Sequence, residues 1–191
     1  GKPYIMGHTA EFVAHKYGLT REEMDEVALR SHNNVERATE EGDFSEEIVP
    51  VEVPRRKKEP LVFSRDEHFR PGLGMEDLRK LPPAFIPGTG TVTAGNSSGI
   101  NDGSAGLMVM SEDRAQELGL RPLARIRAVG RGGCHPSVMG LSPVSAVRNL
   151  LDRSGLHIDD FELIEVNEAF AAQYLACERE LSLPRDITNV N

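Results

Sequence analysis

The sequence predicts an α/β protein. Three observations carry the prediction: apolar runs of strand length alternate with helical runs through the second half, turn residues mark the joins, and no apolar stretch reaches membrane-spanning length. At 191 residues the chain is long enough for one large domain, or a domain with an appendage, and needs no disulfide or metal staple for its core. Its 30 Asp and Glu outnumber 22 Lys and Arg, giving a net charge of -8. That balance argues against unspecific binding to nucleic acid or acidic membranes. Two cysteines, Cys134 and Cys177, without CxxC spacing, exclude a zinc ribbon or a disulfide framework and fit a reducing compartment. With no signal-like start, a soluble cytoplasmic protein is expected. Both ends look cut: Gly1-Lys2-Pro3-Tyr4 has no initiator Met, and residues 186–191 stop inside a short strand, so a fragment is expected.

Taken in order, residues 9–17 fit an amphipathic helix with Phe12, Val13 and Tyr17 on one face. Thr20-Arg21-Glu22-Glu23 is a capping box that opens a second helix running to Glu41, its inner face Met24, Val27, Ala28, Ser31, Val35 and Ala38, with Gly42 closing it. Residues 48–53 read as an edge strand. The run Arg55-Arg56-Lys57-Lys58 after it reads as a solvated turn. Prolines and glycines make residues 60–90 irregular except for a helical turn at 75–80, and a boundary falls near Gly90.

Beyond it, residues 91–99 form a tight polar loop, and small residues lead into an expected buried strand at 107–110. Ser111 caps a helix that ends at Gly119, and residues 123–129 read as another strand. A helix at 143–151 with a Gly155 cap, a strand at 161–166, a helix at 168–180 and a strand at 188–190 complete the alternation.

For chemistry, no Ser lies in a G-x-S-x-G elbow, no Walker A loop or G-x-G-x-x-G is present, and His15, His32 and His68 lack ligand spacing. Cys134-His135 places a thiol beside a base. Neighbours on an extended loop point apart, however, whereas a catalytic pair meets in space. Cys177, within a helix, reads as a small core residue. In Val166-Asn167-Glu168-Ala169-Phe170-Ala171-Ala172-Gln173 a single amide lies between a strand and a helix. It can cap the helix, or it can hold a water or an acyl oxygen without adding charge.

Three motifs in fixed order resemble the thiolase family: Thr91-Val92-Thr93-Ala94-Gly95-Asn96-Ser97-Ser98-Gly99-Ile100-Asn101-Asp102-Gly103, then Val138-Met139-Gly140, then Asn167-Glu168-Ala169-Phe170-Ala171-Ala172-Gln173. Met6-Gly7-His8-Thr9-Ala10-Glu11 is similar to the start of that family's helical loop domain, and the resemblance covers essentially all 191 residues. It implies part of a layered αβαβα fold with an inserted, mainly helical loop domain. Residues 1–90 would be most of the coenzyme A-binding loop domain, 91–115 the end of the N-terminal half and 116–191 the start of the C-terminal half.

The same resemblance implies an acyltransferase, an acetyl-CoA acetyltransferase or 3-ketoacyl-CoA thiolase, that takes coenzyme A and acyl-CoA as substrates. No tightly bound cofactor and no metal are implied, and a homodimer or homotetramer is. Asn167 would position a water in an oxyanion hole, Met6, Ser98 with its neighbours, Met139 and Phe170 would line the pantetheine arm, and Ala94 and Ala169 would also bind coenzyme A. Arg70 would lie near the adenine and the Arg55–Lys58 run near the phosphates. The family's nucleophilic cysteine falls upstream of these motifs, and its Gly-His-Pro histidine and second cysteine fall downstream. The chain alone is therefore expected to be inactive, and marginally stable because its sheet edges lack covers. Ile5 departs from the histidine that many acetoacetyl-specific members carry beside this methionine. The competing readings are a thiolase-like lipid binder without transferase chemistry and an α/β interaction module.

Overall fold

The computed structural model describes residues 5–191; residues 1–4, read above as a cut end, lie outside them. Helix α1 (Met6–Tyr17) starts three residues before the predicted position and closes on Gly18, whose left-handed φ of 59° suits a residue without a Cβ. Helix α2 (Arg21–Glu41) starts where the capping box places it. Thr20 Oγ1 accepts the Glu23 N–H at 3.2 Å, and Glu23 Oε2 accepts the Thr20 N–H at 2.7 Å. Gly42, at φ 84°, closes it.

Next come strands β1 (Val51–Arg55) and β2 (Lys58–Phe63), an antiparallel hairpin with Val51 opposite Phe63. The basic run is the turn of that hairpin and is solvated, with Lys57 at φ 59°. The second strand corrects the sequence reading, in which Pro60 marked an irregular stretch. In a two-stranded sheet both strands are edges, and an edge tolerates a residue that lacks an N–H.

Helices α3 (Met75–Arg79), α4 (Glu112–Glu117), α5 (Ser142–Ser154) and α6 (Ala171–Leu181) follow, with a 3-10 turn at Pro136–Leu141 leading into α5. Ser111 Oγ accepts the Arg114 N–H at 3.3 Å, and Gly155 at φ 71° ends α5, both as the residue types require.

The expected strands at 107–110 and 123–129 do not form. Leu107 is 93% exposed and Leu123 fully so. A strand whose run is apolar throughout is stable only between neighbouring strands and under covering layers, and the described residues bring none to these segments. Residues 161–166 and 188–190 come together as a single parallel bridge, Ile164 to Thr188, with Ile164 N donating to Ile187 O at 2.9 Å and Asn189 N to Ile164 O at 3.0 Å.

The principal core joins the two ends of the sequence. Ala10, Ala14, Leu19, Met24 and Val27 of the helical unit pack with Val92 and with Ala171, Ala172, Tyr174 and Leu175 of α6. The apolar faces of α1 and α2 are thus buried by a helix far along the chain. A second cluster places Cys177 with Val144, Leu181 and Leu183.

At the rim of that packing the Tyr17 hydroxyl donates to Glu180 Oε1 at 2.7 Å, and Arg148 pairs with the other oxygen of Glu180 at 2.7 Å. Burial, and then the Glu180 carboxylate, push the Tyr17 hydroxyl up to about 12. A raised folded-state value means that the native state holds its proton after the unfolded chain has released it, so stability falls as pH climbs from 10 through 12. Tyr17→Phe is expected to remove this part of the alkaline loss, read as a smaller drop in unfolding midpoint between pH 9.5 and 11.5 than in the parent.

Candidate functional site

The polar loop of residues 91–99 is held by its own side chains and by two buried carboxylates. Thr93 Oγ1 accepts the N–H groups of Gly95 and Asn96 at 3.1 and 3.3 Å, and Ser97 Oγ donates to Thr93 O at 2.6 Å. Asn96 is 3% exposed and uses its whole amide. Its Oδ1 accepts Thr93 N–H at 2.8 Å, while Nδ2 donates to Thr91 O at 3.1 Å and to Asp25 Oδ1 at 2.9 Å. Asp25, fully buried in α2, also pairs with Arg21 Nε at 2.7 Å. The Arg21 guanidinium continues to the carbonyls of Leu78 and Leu81 at 2.5 and 3.1 Å. Glu11 of α1 accepts the Thr91 and Val92 N–H groups at 3.0 Å each. Gly95 runs so close to Leu78 and Leu81 that a Cβ there would lie 2.6 Å from each side chain.

This loop is laid across the start of α6. Ser98 N donates to Ala169 O at 3.0 Å, Ala171 N donates to Asn96 O at 3.0 Å, and Ser97 bridges Phe170. The arrangement corrects the capping role and the helix start given to the Asn167 run. Residues 169 and 170 are occupied in pairing with the loop, so α6 begins at Ala171, Phe170 takes the extended cap position, and Asn96 O satisfies the first free amide. Asn167 lies four residues before the helix and is exposed rather than buried. Its amide is free for chemistry.

A cavity of about 570 Å³ lies where these segments meet. Its wall includes Asn167 and Glu168, Gly95 to Ser98 of the loop, Ser31 and His32 of α2, and Asn189. Of the residues singled out from sequence, the structure brings Asn167 and Ser98 to this cavity. Ala94, Ala169 and Phe170 belong to the same joined strip but do not line it. Phe170 turns to the core, edge-on to Phe85 at 6.1 Å between centroids, and Phe85 in turn meets His8 at 6.2 Å. Met6 and Met139 are exposed, at the start of α1 and in the 3-10 turn, and neither lines the cavity. The exposed Arg70 is linked to the cavity wall, its N–H donating to His32 Nδ1 at 3.2 Å. Burial foremost, with His68 and Arg70 nearby, lowers the pKa of His32 and favours the neutral ring that this bond needs.

Cys134 is exposed, bonded to Val138 O at 3.1 Å and within 3.3 Å of Ser142 Oγ, while the His135 ring turns to Ser137. The two side chains serve the local turn rather than each other. Cys177 is fully buried, and burial pushes its thiol up, as expected of a core residue. Among the described residues no cluster of metal-ligating side chains occurs, and no helix is long and apolar enough to cross a membrane.

Sequence reasoning missed four residues of this construction: Glu11, Asp25, Asn96 and Asn189. Asp25 and Glu11 carried a readable signal, since each lies beside inward-facing apolar positions of its helix where a carboxylate needs a partner.

A polar loop clamped by buried carboxylates and sewn onto the start of a helix, with a helical unit over both, defines an α/β protein with a cavity at a loop–helix junction. Residues 2–113 match the thiolase N-terminal domain and residues 120–191 the thiolase C-terminal domain, and the chain belongs to the thiolase family. It is similar to a probable acetyl-CoA acyltransferase of Staphylococcus aureus (strain COL), 51% identical over 187 residues that cover 98% of this chain and 47% of that protein. Among solved structures it resembles the Bacillus anthracis acetyl-CoA acetyltransferase (TM-score 0.92, 50% identity, 99% of this chain and 48% of that one). It also resembles human mitochondrial 3-ketoacyl-CoA thiolase in complex with CoA (TM-score 0.89, 45% identity, 97% and 46%). The chain spans about half the length of the curated relatives it matches.

Proposed function

We propose that the full-length protein carrying this chain is a thiolase that cleaves 3-ketoacyl-CoA with coenzyme A, or condenses two acyl-CoA molecules by Claisen chemistry. The observation that carries this reading is the meeting of the Thr93–Ser98 loop and the Asn167 run at one cavity, through the Ser98–Ala169 and Asn96–Ala171 backbone bonds. In this reading Asn167 orients a water toward the thioester oxygen as negative charge develops there, and a neutral amide does so without repelling that charge. Ser98, with Met6, Met139 and Phe170, borders the pantetheine arm, Ala94 and Ala169 also bind coenzyme A, and Arg70 borders the adenine. Residues 1–90 serve as most of the coenzyme A-binding loop domain, 91–115 as the end of the first half and 116–191 as the start of the second.

The reading extends to a homodimer or homotetramer in the cytoplasm, active in fatty acid metabolism, with no tightly bound cofactor. Low cysteine use, two residues without CxxC spacing, fits a reducing compartment. The test is to purify the full-length protein and follow loss of the 3-ketoacyl thioester with coenzyme A, from acetoacetyl-CoA upward in chain length. Turnover by the full-length protein, and none by the 191-residue chain, is expected. A full-length protein that turns over none of these thioesters would overturn the proposal.

A further inference from the structure

Asn189 forms bonds that a backbone would normally make. Beyond the single bridge of Ile164 to Thr188, the pairing of residues 164–168 with the last segment continues through this side chain. Asn189 Oδ1 accepts the Val166 N–H at 2.8 Å, and Nδ2 donates both to Val166 O and to Glu168 Oε1, at 2.8 Å each. The three bonds fall on the residues immediately before and after Asn167. Asn189 itself stands at φ 50°, a left-handed conformation that Asn tolerates better than most side chains, and its carbonyl accepts Asn34 Nδ2 of α2 at 2.8 Å. It lines the same cavity as Asn167. The Asn167 amide makes no hydrogen bond of its own among the described residues, so its direction is set by the backbone on either side of it.

We propose that Asn189 is a positioning residue for Asn167: its side-chain amide clamps Val166 and Glu168, fixes the backbone between them, and so aims the Asn167 amide at the water it orients. The inference rests on the reading of Asn167 given above. An amide suits the task because it supplies one acceptor and two donors from one planar group, matching the N–H, the carbonyl and the carboxylate it meets. Glycine keeps the left-handed backbone and deletes the clamp, whereas alanine would also strain the turn.

The experiment uses the full-length protein and compares the parent, Asn189→Gly, Asn167→Ala and the double variant in steady-state thiolysis. Asn189→Gly is expected to lower kcat by about 10-fold or more while KM for coenzyme A stays within about twofold, since misaiming a group acts on the transition state rather than on binding. The double variant is expected to be within about threefold of Asn167→Ala alone, because a clamp has nothing left to aim. Should Asn189→Gly fail to fold, Asn189→Asp keeps the volume and the tolerated backbone but loses both donors, and it is expected to be at least as slow. Wild-type kcat in either folded variant, or losses that multiply in the double variant, would overturn the clamp. A fully active Asn167→Ala would instead overturn the role of Asn167, and an inactive parent the thiolase reading itself; the clamp falls with either, and each failure is recognised by its own arm.

Discussion

Asn167→Ala in the full-length protein is expected to lower kcat by about 10²- to 10³-fold, the usual consequence of removing one donor to a developing oxyanion. The structure gives this substitution an unusually clean readout. Asn167 is exposed, precedes α6 without capping it, and makes no side-chain hydrogen bond among the described residues. Its loss therefore leaves the fold intact, and unfolding temperature should not move. KM for coenzyme A should stay within about twofold, because in the proposed reading the amide orients a water at the acyl oxygen and does not border the pantetheine arm. Asn167→Asp should be slower still, since a carboxylate opposes the charge that the reaction develops. Single-turnover thiolysis together with a thermal melt checks both halves. A kcat within threefold of the parent, in protein that melts normally, would remove Asn167 from the mechanism.

Asp25→Ala is expected to produce the largest stability loss, about 3 kcal/mol, at the low end for breaking a buried ion pair by removing one partner. Asp25 is fully buried, but the Arg21 side chain is 25% exposed, so the abandoned guanidinium regains some water and keeps its bonds to Leu78 O and Leu81 O. Asn96 Nδ2 loses one acceptor and keeps Thr91 O. The damage therefore concentrates on the residues 91–99 loop, and amide exchange at Thr93, whose N–H is held by Asn96, should accelerate well before exchange in α6. A loosened loop also moves Ser98, which the proposed reading sets beside the pantetheine arm, so KM for coenzyme A should rise together with the loss of stability. Breaking the exposed pair Arg114–Glu117 by Glu117→Gln provides the contrast, with about 0–1 kcal/mol at stake. Equal exchange rates at Thr93 in the parent and Asp25→Ala would show that the carboxylate does not hold the loop.

Helices were legible because their signals are local. The capping box at Thr20 and the glycines at 42 and 155 act within one turn of the chain, and α2 and α5 start and stop within a residue or a few of the predicted positions. Strands were not. Residues 107–110 and 123–129 have the right composition, yet a strand exists only when another segment accepts its hydrogen bonds. The start of α6 was misplaced by three residues for a related reason: nothing in Glu168-Ala169-Phe170 forbids helix, but the loop of residues 91–99 claims Ala169 and Phe170 first.

The sequence by itself determined the family and the order of the motifs, since the Thr-Ala-Gly-Asn loop and the Asn-Glu-Ala-Phe run are strings of residue types read directly along the chain. Only the tertiary structure decided which residues serve them. Asp25 reaches Asn96 across 71 positions and Asn189 reaches Val166 across 23: the first is a fully buried carboxylate that needs its partners, the second a half-buried amide whose partners lie in backbone that only the fold brings alongside. A carboxylate among apolar helix positions, as at Asp25, shows along the chain that a partner is needed, but which residue supplies it is decided only when folding brings distant segments together and excludes water.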